Sequence, residues 1–214
     1  MIRILLVDDH AVVRLGVKQA LADSISGSVF EEAVSGEEAL LRVRTSAFDI
    51  AILDIALPGE SGLDVLKKIK QIRPRLPVLM LSVYAEEEFA VRTLRAGAAG
   101  YVTKKAASTE LAEAVRRIVA GGRYVTAALA EKLADEVQWG AAPSPHERLS
   151  DREYQVFRLL GMGKSVTQAA EDMALSVQTI STYRARILQK MGMSSNAELV
   201  EYVFQTHLFR QRPV

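Results

Sequence analysis

Five polar side chains have the types and spacing needed to hold a phosphoryl group: Asp8, Asp9, Asp54, Ser82 and Lys104. Asp8 and Asp9 end the apolar run 4–7, Asp54 ends 50–53, Ser82 ends 78–81, and Lys104 follows 100–102. Three carboxylates brought together repel one another, and a divalent cation relieves the repulsion. Mg2+ suits one or two carboxylates, a carbonyl and several waters. A carboxylate nucleophile, a metal, a hydroxyl and a lysine are together the parts for accepting a phosphoryl group on an aspartate. Singly, each residue has a plainer reading. A strand-terminal Asp often caps a helix, and a lone loop lysine is usually only solvated. The set in register argues for chemistry.

Convergence of those side chains requires strands whose ends emerge on one edge. Strands are expected at 3–7, 29–34, 50–53, 78–81 and 100–102, with helices near 11–22, 36–46, 61–72, 86–96 and 108–120. Three of the runs, 4–7, 50–53 and 78–81, are continuously apolar, as in strands buried on both faces. The last helix is expected to start at Ser108 as N-cap, carry Leu111, Val115 and Ile118 on one stripe, and stop at Gly121-Gly122. Five strands alternating with helices form a parallel, doubly wound α/β sheet, whose functional residues sit at the carboxyl ends of the strands.

The chain has 214 residues, 49% hydrophobic and 25% charged, which excludes a disordered chain, a collagen and a coiled-coil rod. With no Cys, it has no disulfide scaffold, thiolate metal site or cysteine nucleophile. The run 4–7 is too short for a signal-peptide core. No stretch approaches the ~18 apolar residues of a membrane span. A soluble, cytoplasmic protein with no membrane partner is expected. A net charge of +1 names no partner, but 174–197 contains no acid while holding Arg184, Arg186 and Lys190. Such a local patch suits one element touching a polyanion, or a plain solvated helix face.

A helix is expected over 126–137, then a Gly/Pro linker at 139–146. Beyond it the pattern is purely helical, with Ser-x-x-Glu/Gln capping boxes at Ser150/Glu153, Ser165/Gln168 and Ser195/Glu198, and Ser176 opening a further helix. On the helix from Ser176, the residues Val177, Ile180, Ile187, Leu188 and Met191 form one apolar stripe that must face a core. The opposite side carries Gln178, Ser181, Thr182, Ala185, Arg186 and Gln189, with no acid to repel a major groove. Arg184 points toward the apolar side and either snorkels to a phosphate or is a displaced surface residue.

Val7-Asp8-Asp9-His10, Asp54 with Leu57-Pro58-Gly59 and Gly62, Ser82, and Gly100-Tyr101-Val102-Thr103-Lys104 resemble the receiver domain of a two-component response regulator. The resemblance implies a flavodoxin-like receiver at 1–121, with Asp54 as phosphoacceptor. It implies Asp9 and Asp54 as direct Mg2+ ligands, Asp8 acting through water, and the Ala56 carbonyl as a further ligand. Ser82 and Lys104 would contact the phosphoryl oxygens, and Tyr101 would reorient when Ser82 moves. The stretch from Leu149 to Val200 resembles a LuxR-type helix-turn-helix, making 147–214 a second, all-α DNA-binding domain after a linker at 122–146. Together they are the arrangement of the NarL/FixJ response regulators. This implies a scaffold helix near 165–173 and a recognition helix near 176–191. Ser181, Thr182 and Ala185 would face bases, with Tyr183, Arg184, Arg186 and Lys190 toward the DNA backbone. The implied partners are a sensor histidine kinase, double-stranded DNA, a second copy of the chain when phosphorylated or DNA-bound, and RNA polymerase. The implied enzymology is limited to self-phosphotransfer and autodephosphorylation at Asp54.

Two rival readings remain. A phosphotransfer enzyme similar to the haloacid dehalogenases would need a second Asp two residues after the first, and Ala56 stands there. A constitutive DNA-binding protein with an inactive receiver would not need the complete set Asp8, Asp9, Asp54, Ser82 and Lys104.

Overall fold

The computed structural model describes residues 1–84, 86–127, 129–131, 134 and 144–209. Trp139 and half of the helix expected over 126–137 lie outside the described residues. The chain divides into two compact units, Met1–Gln138 and Trp139–Val214.

In the first unit β1 (Ile2–Val7), β2 (Ser28–Ala33), β3 (Ile50–Asp54), β4 (Val78–Ser82) and β5 (Gly100–Thr103) form one parallel sheet in the order β2-β1-β3-β4-β5. The strands alternate with α1 (Ala11–Ser24), α2 (Gly36–Thr45), α3 (Gly62–Ile72), α4 (Glu86–Arg95) and α5 (Ala107–Val119). The continuous apolar runs are buried on both faces, as their patterning predicts. Ile4, Leu6, Ile50, Ile52, Leu79, Leu81 and Val102 pack against Val17 and Leu21 of α1 and Leu111, Val115 and Ile118 of α5. The alternating residues Leu5, Val7, Ala51, Leu53, Val78, Met80 and Tyr101 are equally buried and point to the opposite face. The strand order reverses between β1 and β3, where Val7 lies beside Leu53. Such a switch point opens a crevice at the carboxyl ends of the strands, and Asp8 and Asp54 flank it.

One expectation for this unit needs correction. Helix α5 starts at Ala107 with Ala106 as its N-cap, rather than at Ser108. Thr103 explains the earlier start, because its carbonyl and hydroxyl both accept the Ala106 N–H, at 3.0 and 3.3 Å. The segment after Gly122 is also anchored at its start. Tyr124 bridges Gly100 on the outer edge of β5, its N–H donating to the Ala99 carbonyl at 2.9 Å. Its hydroxyl reaches Glu110 at 3.1 Å, and Thr126 reaches Glu86 at 2.8 Å.

The second unit comprises a short 3-10 turn (Pro145–Arg148), α6 (Asp151–Gly161), α7 (Val166–Asp172), α8 (Val177–Met191) and α9 (Asn196–Gln205). Capping boxes close reciprocally at Ser150/Glu153 and Ser165/Gln168. At α9 only half the expected box forms. Ser195 Oγ accepts the Glu198 N–H, while the Glu198 carboxylate takes the N–H of Ser194, one residue upstream. Ile180, Ile187, Leu188 and Met191 of α8 are buried as expected, but Val177 is 48% exposed. It is the first residue of the helix and projects beyond the core the others reach. Gly192 ends α8 in the left-handed region at φ 68, a conformation that glycine adopts without steric cost. No helix among the described residues is long and apolar enough to cross a membrane.

Candidate functional site

The pocket is built from the loops after β1, β3, β4 and β5. Asp8 and Asp54 are each 1% exposed, and Lys104 Nζ stands 2.7 Å from Oδ2 of both. Asp54 Oδ1 accepts the Ala56 N–H at 3.2 Å, and Asp8 Oδ1 accepts the His10 N–H at 2.8 Å. Asp8 Oδ2 is buried without a hydrogen-bond partner, so its contact with Lys104 is an ion pair lacking hydrogen-bond alignment. Burial pushes the Asp54 carboxyl above its ordinary pKa, against the opposing pull of Lys104. Burial also opposes the charge of Lys104, but the Asp54 and Asp8 carboxylates outweigh it and raise that ammonium's pKa.

Ser82 is fully buried, with its Oγ accepting the Tyr84 N–H at 3.1 Å and its carbonyl accepting the Lys104 N–H at 2.6 Å. The hydroxyl proton remains to be donated into the pocket. Tyr101 lies inward, 2% exposed, and donates to the Tyr84 carbonyl at 2.9 Å. Tyr84 in turn stacks on Phe89 of α4, ring centroids 4.6 Å apart. Gly62 is required by close approach, since a Cβ there would lie 1.9 Å from the Asp54 carbonyl oxygen. Its own N–H donates to the Ile55 carbonyl at 2.9 Å, pinning α3 against the loop that follows Asp54.

Carboxylate oxygens of Asp8, Asp9 and Asp54 and a ring nitrogen of His10 all lie within 4.8 Å of one another. Hard carboxylate donors around a buried Asp8 oxygen that makes no hydrogen bond fit a small dication that keeps several waters. The structure shows the N–H of Ala56 in use, at Asp54. Residue-by-residue reading missed His10, whose Nδ1 lies 2.8 Å from Asp9 Oδ1, and Arg14. Arg14 donates to the Asp8 carbonyl at 2.8 Å and to Glu32 at 2.6 Å, bracing the end of β1. Lys18 joins Arg14 in lowering the Glu32 pKa. The only signal in the sequence is the i, i+4 pair of cations on α1.

In the second unit Thr182, Ala185 and Arg186 are exposed on α8, while Ser181 and Tyr183 are half-buried. Two of the residues expected toward the DNA backbone also make contacts within the domain. Arg184 Nε donates to Asn196 Oδ1 at 2.6 Å, and Lys190 Nζ pairs with the buried Glu153 at 2.6 Å. Helices α7 and α8 are joined by a tight turn through Ala174, at φ 50, with the Leu175 N–H donating to the Ala170 carbonyl at 2.9 Å.

The family model of the response regulator receiver domain matches residues 4–116, and that of the bacterial regulatory proteins of the luxR family matches 147–203. The chain is 38% identical over 199 residues to the response regulator GacA of Pseudomonas protegens, covering 93% of each. This chain belongs to the NarL/FixJ family of response regulators. This response regulator is also 35% identical over 200 residues to UvrY of Escherichia coli K12, covering 93% of this chain and 92% of UvrY. Among solved structures, a LuxR-family two-component response regulator from Aurantimonas sp. SI85-9A1 covers 64% of the chain and 98% of its own, at 34% identity and TM-score 0.58. RcsB of Salmonella enterica serovar Typhimurium, bound to promoter rprA with the phosphomimetic BeF3-, shares the fold at 24% identity and TM-score 0.62, covering 95% of this chain and 99% of RcsB. The response regulator thus carries a receiver and a helix-turn-helix of transcription regulators.

Proposed function

We propose that this response regulator is a cytoplasmic transcription factor controlled by phosphorylation of Asp54. The observation that carries the reading is the Lys104 ammonium 2.7 Å from both buried carboxylates, beside a cluster of hard oxygen donors. An Asp54 carboxylate oxygen attacks the phosphorus of a phosphohistidine on a sensor kinase. The O–P bond forms, the P–N bond breaks, and its electron pair leaves with the imidazole. Lys104 exchanges its contact with Asp54 Oδ2 for a phosphoryl oxygen, and Ser82 donates its hydroxyl proton to another. Asp8, Asp9 and Asp54 would hold Mg2+, which supplies charge neutralisation when bound. The chemistry ends with the phosphoryl group on its own Asp54 and its later hydrolysis; no external substrate is turned over.

The second unit then binds DNA through α8. One module offers few contacts, so tight binding uses a dimer on two half-sites about one helical turn apart. The test is Asp54→Asn, incubated with acetyl phosphate and Mg2+ and followed by phosphate-sensitive electrophoresis and DNA titration. The variant should take up no phosphate and show no phosphate-dependent gain in affinity, while basal DNA binding persists. Phosphate uptake and tighter binding by the variant would remove Asp54 from the mechanism. A wild-type chain that never accepts phosphate but binds DNA fully would favour the inactive-receiver alternative.

A further inference from the structure

We propose that Gln178 and Arg186 are the hydrogen-bonding base readers of α8, with the Thr182 methyl group between them. The proposal rests on the DNA-binding reading above and adds which bases the helix selects. Gln178, Thr182, Ala185, Arg186 and Gln189 are the exposed positions of one α8 stripe, whereas Ser181 is half-buried. At ~100° per residue they span an arc of about 100°, centred opposite the buried Ile180, Ile187 and Met191. Gln178, Thr182 and Arg186 also line one concavity of about 230 Å3, together with Thr179 and Tyr183.

The local hydrogen bonds divide the labour within that stripe. Thr182 Oγ1 donates to the Gln178 carbonyl at 3.0 Å, which commits the hydroxyl to the helix and leaves the methyl to meet a thymine methyl. Arg184 is held by Asn196 and Lys190 by Glu153. Arg186 is therefore the α8 cation without a hydrogen bond or ion pair among the described residues. A guanidinium in that position matches guanine O6 and N7 through two bonds, and a glutamine amide matches adenine N6 and N7. Gln178, the second residue of α8, also lies where the N-terminal end of a recognition helix meets base edges. Eight residues at ~1.5 Å each separate the two readers by about 12 Å. At ~3.4 Å per base pair this is three to four base pairs. Arg186, expected from the sequence to face the phosphates, is reassigned by this geometry to a base.

The full chain, treated with acetyl phosphate and Mg2+, is used to select duplexes from a randomised pool, and single-position variants of the selected site are then titrated. The wild type should select a G·C and an A·T pair three or four steps apart in each half-site. Arg186→Lys keeps the charge, so its salt dependence should match the wild type while its preference for G falls roughly 5- to 100-fold. Gln178→Ala should flatten the preference for A at the other position by a similar factor, leaving the G preference intact. If either variant weakens all duplexes equally, or keeps the wild-type ranking of bases, that residue is not a reader and the proposal fails. If the variants fail in that way while the wild type still binds with a steep salt dependence, the DNA-binding reading stands without it. A wild type that binds no duplex removes both.

Discussion

Glu153, at the start of α6, and Lys190, near the end of α8, meet at 2.6 Å although 37 positions separate them. The Glu153 side chain is 4% exposed and also accepts the Ser150 N–H at 2.7 Å, so one carboxylate serves the helix cap and the ion pair together. The basic patch of α8 is thus partly spent on holding the domain together.

Glu153→Gln should separate these two roles, because an amide oxygen can still cap the helix. Burial raises the Glu153 pKa, but Lys190 and the Ser150 contacts outweigh burial and leave it lowered. A carboxylate depressed in the folded state stabilises it above the unfolded value of ~4.3 and loses that contribution as pH falls through the native value. Urea denaturation at pH 7 should show the variant about 1 kcal/mol less stable, with the gap closing below pH ~4. A gap that stays constant down to pH 3 would mean the pair contributes nothing.

What the sequence makes legible follows the range of the forces involved. Continuous apolar runs ending in Asp8, Asp54 and Ser82 reveal both the sheet and its functional edge, because burial and strand direction are properties of each segment. The family match and the structure agree with that reading of the fold. Partnerships across elements are illegible. Nothing near Lys190 announces Glu153, and nothing near Asp8 announces Arg14, whose guanidinium folds back from α1. Local boundaries fail where a neighbour competes, as Thr103 does by taking the Ala106 N–H and starting α5 before Ser108.

Lys104→Met should strengthen metal binding while impairing the switch. The ammonium neutralises the same buried carboxylates that a dication would use, and like charges within ~4 Å compete for kilocalories even at an effective dielectric of 20. Mg2+ titrated against the amide resonances of Asp8, Asp9 and Asp54 should therefore show at least roughly tenfold tighter binding in the variant. Unchanged or weaker binding would mean that Lys104 and the metal do not share this pocket.

Two glycines should respond in opposite ways to alanine. At Gly62 the new Cβ would sit 1.9 Å from the Asp54 carbonyl oxygen, a backbone atom that moves only with the strand end. Gly62→Ala should cost about 3 kcal/mol and slow phosphate uptake by displacing Asp54. At Gly16, inside α1, a Cβ would meet nothing within 4 Å. Gly16→Ala should add about 0.5–1 kcal/mol, since glycine is the poorer helix former. Thermal denaturation of the two variants checks both signs, and a stable Gly62→Ala protein with normal phosphorylation would contradict the packing of α3 on the acceptor loop.

Tyr101→Phe tests how the inward ring is held. In the structure the ring is buried and its hydroxyl donates to the Tyr84 carbonyl at 2.9 Å, one residue beyond the Val83 that follows Ser82. Movement of Ser82 toward a phosphoryl oxygen would shift the Tyr84 N–H that its Oγ accepts, so pocket and ring are mechanically linked through this short loop. On the proposed function, phosphate would bias the ring between inward and outward only as far as the contacts of the two positions differ. The hydroxyl bond is one such difference, worth about 1 kcal/mol net, or roughly a fivefold change in the inward-to-outward ratio. Moving fully from 1:99 to 99:1 needs about 5.5 kcal/mol, so losing this bond weakens the switch without abolishing it. The phenylalanine variant should accept phosphate at Asp54 at the wild-type rate, yet gain up to about fivefold less DNA affinity from it. DNA titrations before and after acetyl phosphate give that gain directly. An undiminished gain with normal phosphorylation would show that the Tyr101–Tyr84 bond is no part of the coupling.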